Sequence, residues 1–206
     1  MGGLVGALVN DINLMKTKGA LVCLLAAVIM PVVYLVSPND TTHLVAQIVF
    51  FLAMPAFALN STNVSFDAKW NHFERLWAVP PLAMIASRYI IYVVFTLVFA
   101  GLWMLLPLHD GNWRGVVNLV LIMVFTGALY YPIMFALYSD HNMGIVILMI
   151  SGTVASVSLI SLAGFLGRYP FGDEISGLLV VLVWGAYALS WVLSTGFYMI
   201  HMKRGV

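Results

Sequence analysis

Residues 89–106 read YIIYVVFTLVFAGLWMLL and contain no Asp, Glu, Lys or Arg. A helix on the surface of a soluble protein keeps one polar face; this run is apolar all round. About 20 such residues match the thickness of the hydrocarbon layer of a bilayer. Working outward, five further runs of the same kind stand at 19–36, 44–60, 116–138, 143–166 and 175–201. None has a charged residue in its core. All are too long for barrel strands and lack strand alternation. Each is therefore expected to be a helix, which satisfies its own backbone polar groups in lipid. The expected fold class is all-α integral membrane, with six transmembrane helices in a single domain over 1–206.

Composition agrees. Of 206 residues, 63% are apolar and 8% charged, against about 25% charged in soluble domains. The net charge of +1 offers no basic field for nucleic acid. Cys23 is the single cysteine, so no internal disulfide is expected. The N-terminus does not read as a signal peptide, because Lys16 and Lys18 follow an apolar-periodic stretch and no Ala-x-Ala site comes after the next run.

Basic residues orient the spans. Alternate crossing puts Lys16, Lys18, Lys69, Arg75, Arg88, Lys203 and Arg204 on one face, and only Arg114 and Arg168 on the other. The positive-inside rule then places the first face, with both termini, in the cytoplasm. Trp103, Trp113, Tyr138, Tyr169 and Tyr198 stand near span ends, as interfacial anchors do.

The one long connection, 61–88, is cytoplasmic in this topology. In it Phe66, Trp70, Phe73 and Trp77 fall within an arc of about 60° at about 100° per residue. Asp67, Lys69, Asn71, His72, Glu74 and Arg75 point elsewhere. This predicts a short helix with an aromatic stripe, ended by Pro80 and Pro81. Its stripe suits either the membrane interface or a pocket on a cytoplasmic partner. Residues 1–18 repeat the design: Leu4, Val5, Leu8, Val9, Ile12 and Met15 share one side, Asn10, Asn13 and Thr17 the other. An amphipathic helix along the inner leaflet is expected there.

Several of these residues form a familiar series. Asn10-Asp11 and a Lys-x-Lys precede the first run. Phe66-Asp67-Ala68-Lys69-Trp70, Phe73-Glu74-Arg75-Leu76, Val79-Pro80 and Ser87-Arg88-Tyr89 follow the second. The chain resembles the six-span permease subunits of the ABC-2 superfamily, in particular the small bacterial branch that exports peptides or drugs. It departs from them just after Pro80, where Pro81-Leu82-Ala83-Met84 replaces the usual Ser-Arg or Ser-Lys pair.

The resemblance implies that 66–77 is a coupling helix docked on a separate ABC ATP-binding subunit. Its residues would be Phe66, Asp67, Lys69, Trp70, Phe73, Glu74, Arg75 and Trp77. It also implies two copies of that subunit, a second permease copy in a homodimer or heterodimer, and a place in the bacterial inner membrane. This chain would bind no cofactor; ATP and Mg would sit on the partner. The alternative from another class is a membrane scaffold or assembly factor that binds a different cytoplasmic protein through 66–77.

Other chemistries find little support. No Gly-x-x-x-x-Gly-Lys-Ser/Thr loop is present. His43, His72, His109, His141 and His201 are scattered without i, i+4 spacing. Ser151-Gly152 lacks the first glycine of a rhomboid-type motif, since Met149 stands there. The runs carry no ionisable relay, and Gln47 and Asn118 are their nearest polar candidates.

Two runs stand out as a translocation path or dimer seam. Gln47, Phe50, Phe51, Met54 and Phe57 would make a greasy, adaptable wall, or simply pack. Ser151, Gly152, Ala155 and Ser156 form small-xxx-small pairs that suit a dimer seam, a smooth wall or packing within one chain. The uncharged spans favour an apolar or amphipathic cargo. The break at 167–174 is either an external re-entrant gate or a plain turn.

Overall fold

The computed structural model describes residues 2–14, 18–37, 39, 41–42, 45–46, 49–50, 53, 56–57, 59, 80–105, 113–137, 141–165 and 177–204. Those residues are helical, apart from short connecting positions, and no strand occurs among them. Six helices have defined bounds: α1 (Gly2–Leu14), α2 (Lys18–Val36), α3 (Pro81–Leu105), α4 (Trp113–Leu137), α5 (His141–Phe165) and α6 (Gly177–Arg204). The described positions between Thr41 and Leu59 are helical too. Asn39 opens that stretch, its Oδ1 accepting the Thr41 N–H at 3.0 Å as an N-cap does.

Among the described residues, three stretches are long and apolar enough to cross a membrane: Pro81–Leu102, Val116–Leu137 and Gly177–Ile200. Shorter apolar stretches, Leu21–Tyr34 and Val146–Leu159, lie in α2 and α5. Residues 66–77, the expected coupling helix with every residue assigned to coupling, lie outside the described residues.

α3 departs from the sequence reading. It begins at Pro81, not at Tyr89. Pro81 has no N–H to lose at a helix start, and the Pro80 carbonyl accepts the Ala83 and Met84 N–H groups at 2.9 and 3.3 Å. The proline pair, expected to end a helix, is seen here to start one. Arg88 becomes part of an apolar helix, so the expectation of uncharged spans fails at this position.

α4 is the centre of the bundle and packs on α3, α5 and α6; α1 lies against α3. Two cores result. One joins the first half of α3 to α4, α5 and α6 around Tyr89, Tyr92, Tyr131, Phe135 and Tyr187. The other joins α2 and the described residues near 50–57 to the second half of α3 and the first half of α4, around Ala27, Phe50, Phe99 and Met123. Tyr198, read as an interfacial anchor, is instead buried, with its ring edge-on to Phe135 at 6.0 Å.

α1 inverts the pattern of a soluble amphipathic helix. Its Ala7 and Asp11 are buried, while Leu4, Val5, Val9 and Ile12 are exposed. Gly3 lets it come close to the start of α3, since a Cβ there would lie 3.2 Å from Pro80 Cδ.

Candidate functional site: a polar junction at the start of α3

Two fragments of the motif series, Asn10-Asp11 and Ser87-Arg88-Tyr89, meet where α1 crosses α3. The helix turn carries Ser87 and Arg88 inward together. Asp11 reaches them from α1 and is only 3% exposed, while Ser87 is fully enclosed and Arg88 is 2% exposed. Ser87 Oγ donates to Asp11 Oδ2 and also stands 2.7 Å from the Met84 carbonyl. Arg88 Nε lies 3.9 Å from Asp11 Oδ1. The guanidinium also rests over the Phe135 ring, 5.6 Å from its centroid. The quadrupole of that ring attracts a cation that water no longer solvates.

Burial is the largest influence on Asp11 and pushes its carboxyl above the usual range, against the pull of Arg88 and the Ser87 hydrogen bond. The geometry accommodates either protonation state. An ionised Asp11 accepts from Ser87. A protonated Asp11 can donate to Ser87 Oγ, which then donates to the Met84 carbonyl, so each proton has an acceptor.

Tyrosine hydroxyls extend the junction into the bundle. Tyr131 of α4 donates to the Arg88 carbonyl at 3.1 Å. Tyr187 of α6 donates to the Tyr89 carbonyl at 2.8 Å. In return Tyr92 of α3 donates to the Met123 carbonyl of α4 at 2.7 Å. Tyr89 exchanges a 2.8 Å hydrogen bond with Ser194, and Ser190 donates to it at 3.1 Å. The rings themselves stack or meet edge-on, Tyr89 to Tyr131 at 4.5 Å and Tyr89 to Tyr187 at 5.0 Å. Gly127 of α4 makes room: a Cβ there would fall 2.5 Å from Tyr92 Cε1.

The candidate path residues lie elsewhere. Phe50 is buried and Phe57 half-buried in the second core, edge-on to Phe99 at 6.0 Å and to Phe95 at 5.0 Å respectively. Gln47, Phe51 and Met54 lie outside the described residues. Ser151 and Ala155 are buried within the chain itself, on a helix that packs against α4. Gly152 and Ser156 are half-buried, and a Cβ on Gly152 would lie 3.9 Å from Thr126 of α4. Asn118 is buried. No cluster of metal-ligating side chains occurs among the described residues.

In the sequence, Asp11, Ser87, Arg88 and Tyr89 stand out only as members of the motif series, Arg88 also as an orienting charge, and Tyr131, Tyr187, Ser190 and Ser194 do not stand out as site residues. One signal was available. Tyr187, Ser190 and Ser194 stand at i, i+3 and i+7, a hydroxyl stripe on one face of an otherwise apolar run. Such a stripe in a lipid-embedded helix needs partners on a neighbour.

A family model described as ABC-2 family transporter protein matches residues 7–199, which include every residue of this junction. No curated protein and no solved structure matches the chain. The match covers most of the sequence, and the chain belongs to the ABC-2 family of membrane transporter proteins, as a permease of that type.

Proposed function

We propose that this chain is the membrane permease of an ATP-driven exporter, crossing the bacterial inner membrane six times with both termini in the cytoplasm. ATP and Mg bind a separate ABC subunit, present in two copies, and a second permease completes the path. The 66–77 helix docks on that subunit through Phe66, Trp70, Phe73 and Trp77, with Asp67, Lys69, Glu74 and Arg75 around them. Exposed Leu4, Val5, Val9 and Ile12 on α1 suit a helix lying in the inner leaflet. The cargo is apolar or amphipathic: a hydrophobic peptide, a drug or a lipid-like molecule.

The observation that carries this reading is the junction at the start of α3. Pro80 follows directly on the segment that contains 66–77, and the first buried polar residues beyond it are Ser87 and Arg88, held by Asp11. A force applied to the 61–79 segment thus arrives at a point tied to three other helices. In this chain an uncompensated charge in lipid would be costly, so the pair is a device rather than an accident of composition.

Co-purification tests the reading. The wild-type chain should bring an ABC ATPase subunit with it, and Phe73→Ala with Trp77→Ala should lose that subunit while the permease still inserts. An intact association in the double variant sinks the coupling assignment. Export of hydrophilic cargo alone, in reconstituted vesicles offered both kinds, sinks the cargo class.

A further inference from the structure

We infer that Asp11 is a positioning residue for transmission: it clamps α1 to a stiff unit made of the first half of α3 and the parts of α4 and α6 tied to it, so that these four helices move together. The inference rests on the permease reading above and assigns it a mechanical part.

Three observations combine. First, the Asp11 carboxylate and the Ser87 hydroxyl join α1 to α3 across 76 residues of sequence, with Arg88 alongside at 3.9 Å. Second, the two backbone carbonyls immediately following this contact, those of Arg88 and Tyr89, each accept a tyrosine hydroxyl from a different helix, α4 and α6. Tyr92 returns a bond to α4, and Tyr89 to Ser194 of α6. Hydrogen bonds to backbone oxygen fix axial register as well as distance, so sliding α3 along α4 or α6 would break several at once. Third, Gly3 of α1 stands against Pro80, where the 61–79 segment ends. α1 therefore touches both the entry of that segment and the polar junction beyond it.

α2 belongs to the other core, beside Phe50, Phe99 and Met123. Displacement of the entry at Pro80 should carry α1 and the tied parts of α3, α4 and α6 as one body, with α2, in the other core, as the reference for its movement.

The test uses the complete transporter with its ATPase subunit in lipid nanodiscs. Cys23→Ser removes the native thiol. Spin labels go on exposed positions, in the pairs Val9 with Val192 and Val28 with Val192, and labelled chains are diluted with unlabelled copies. Pulsed electron resonance then compares the nucleotide-free and ADP–vanadate-trapped states. The expected result is a narrow Val9–Val192 distance that is the same in both states, with a Val28–Val192 distance that shifts. Asp11→Ala should broaden the Val9–Val192 distribution. Asp11→Asn, which still offers Ser87 an acceptor, should narrow it again.

A wild-type Val9–Val192 distance that shifts on trapping overturns the lever, and that measurement needs no variant to fold. An Asp11→Ala chain as narrow as wild type, or an Asn variant no narrower than Ala, overturns the role of Asp11. If no ATPase subunit accompanies the wild-type chain, the permease reading itself fails. If one does and the Val9–Val192 distance shifts, only the lever fails.

Discussion

Near Pro81, α3 packs among tyrosines, four of which hydrogen-bond across helices; toward Leu105 it packs mostly against phenylalanines, with Tyr34 of α2 beside them. Both ends are aromatic and both are buried. Tyr89, Tyr92, Tyr131 and Tyr187 gain direction from their hydrogen bonds and therefore set register. Phe50, Phe57, Phe95 and Phe99 meet at centroid distances of 5.0–6.5 Å, where edge-on geometries are favoured but small slides cost little. Met30 and Met123 pack in the same core and adapt readily. In lipid, burying apolar area gives no drive between helices, so packing and interhelical hydrogen bonds decide which contacts hold firm. One helix thus has an end fixed by several directional bonds and an end packed mostly by rings.

The largest effect should come from Asp11→Ala. It leaves the Arg88 guanidinium buried without its acidic neighbour, a loss on the order of 3 kcal/mol. The solubilised protein should melt markedly earlier, followed with a thiol dye that reports exposure of Cys23. An unchanged melting temperature would mean that the junction is not holding the fixed end.

Glycine-to-alanine exchanges sharpen the contrast next. Gly127→Ala drives a methyl against Tyr92, which is fully buried and hydrogen-bonded, and should cost about 1–3 kcal/mol. Gly101→Ala, toward the other end, meets nothing within 4 Å and should be neutral or gain up to about 1 kcal/mol from helix propensity. Equal costs at the two sites would mean that the two ends of α3 do not differ.

Tyr131→Phe and Tyr187→Phe each remove one hydroxyl tie and keep the ring. In a membrane such a bond is worth about 0.6 kcal/mol, so each melting shift should be small. The double variant should show the loss of both.

The smallest effect concerns pH. The Asp11 carboxyl is held above its usual range by burial, so the folded chain keeps this proton more firmly than the unfolded one. Stability from this group is therefore greatest below the ordinary carboxylate range and declines as pH rises through the raised folded value. Melting temperatures of wild type and Asp11→Asn, compared across acidic pH, should differ in slope, with the Asn chain flatter. Parallel curves would remove Asp11 as the source.

Much of the architecture was legible in the residues. The run at 89–106 alone required a helix in lipid, and the other long runs repeat its logic. The start of α3 at Pro81 lies two turns before the Tyr89 that hydropathy indicates, for a definite reason. A window of hydropathy ends at the first strong charge, and Arg88 looks like a loop residue until Asp11 is beside it. The burial of Tyr198 was hidden in the same way, because an aromatic near a span end reads as an anchor whether its face meets lipid or Phe135. The hydroxyl stripe of Tyr187, Ser190 and Ser194 was visible as spacing, but nothing in the spacing names Tyr89 as what it faces.

The sequence by itself determined that lipid is the main solvent, that the backbone must be helical, and that α1 has two unlike faces. Those are properties of single residues and their period, added along the chain. Only the tertiary structure decided that Asp11 meets Ser87 and Arg88, and that tyrosines from α4 and α6 close on two successive carbonyls of α3. Such meetings depend on how helices far apart in sequence cross and rotate, and in a membrane that choice rests on a few polar contacts and close approaches rather than on apolar burial.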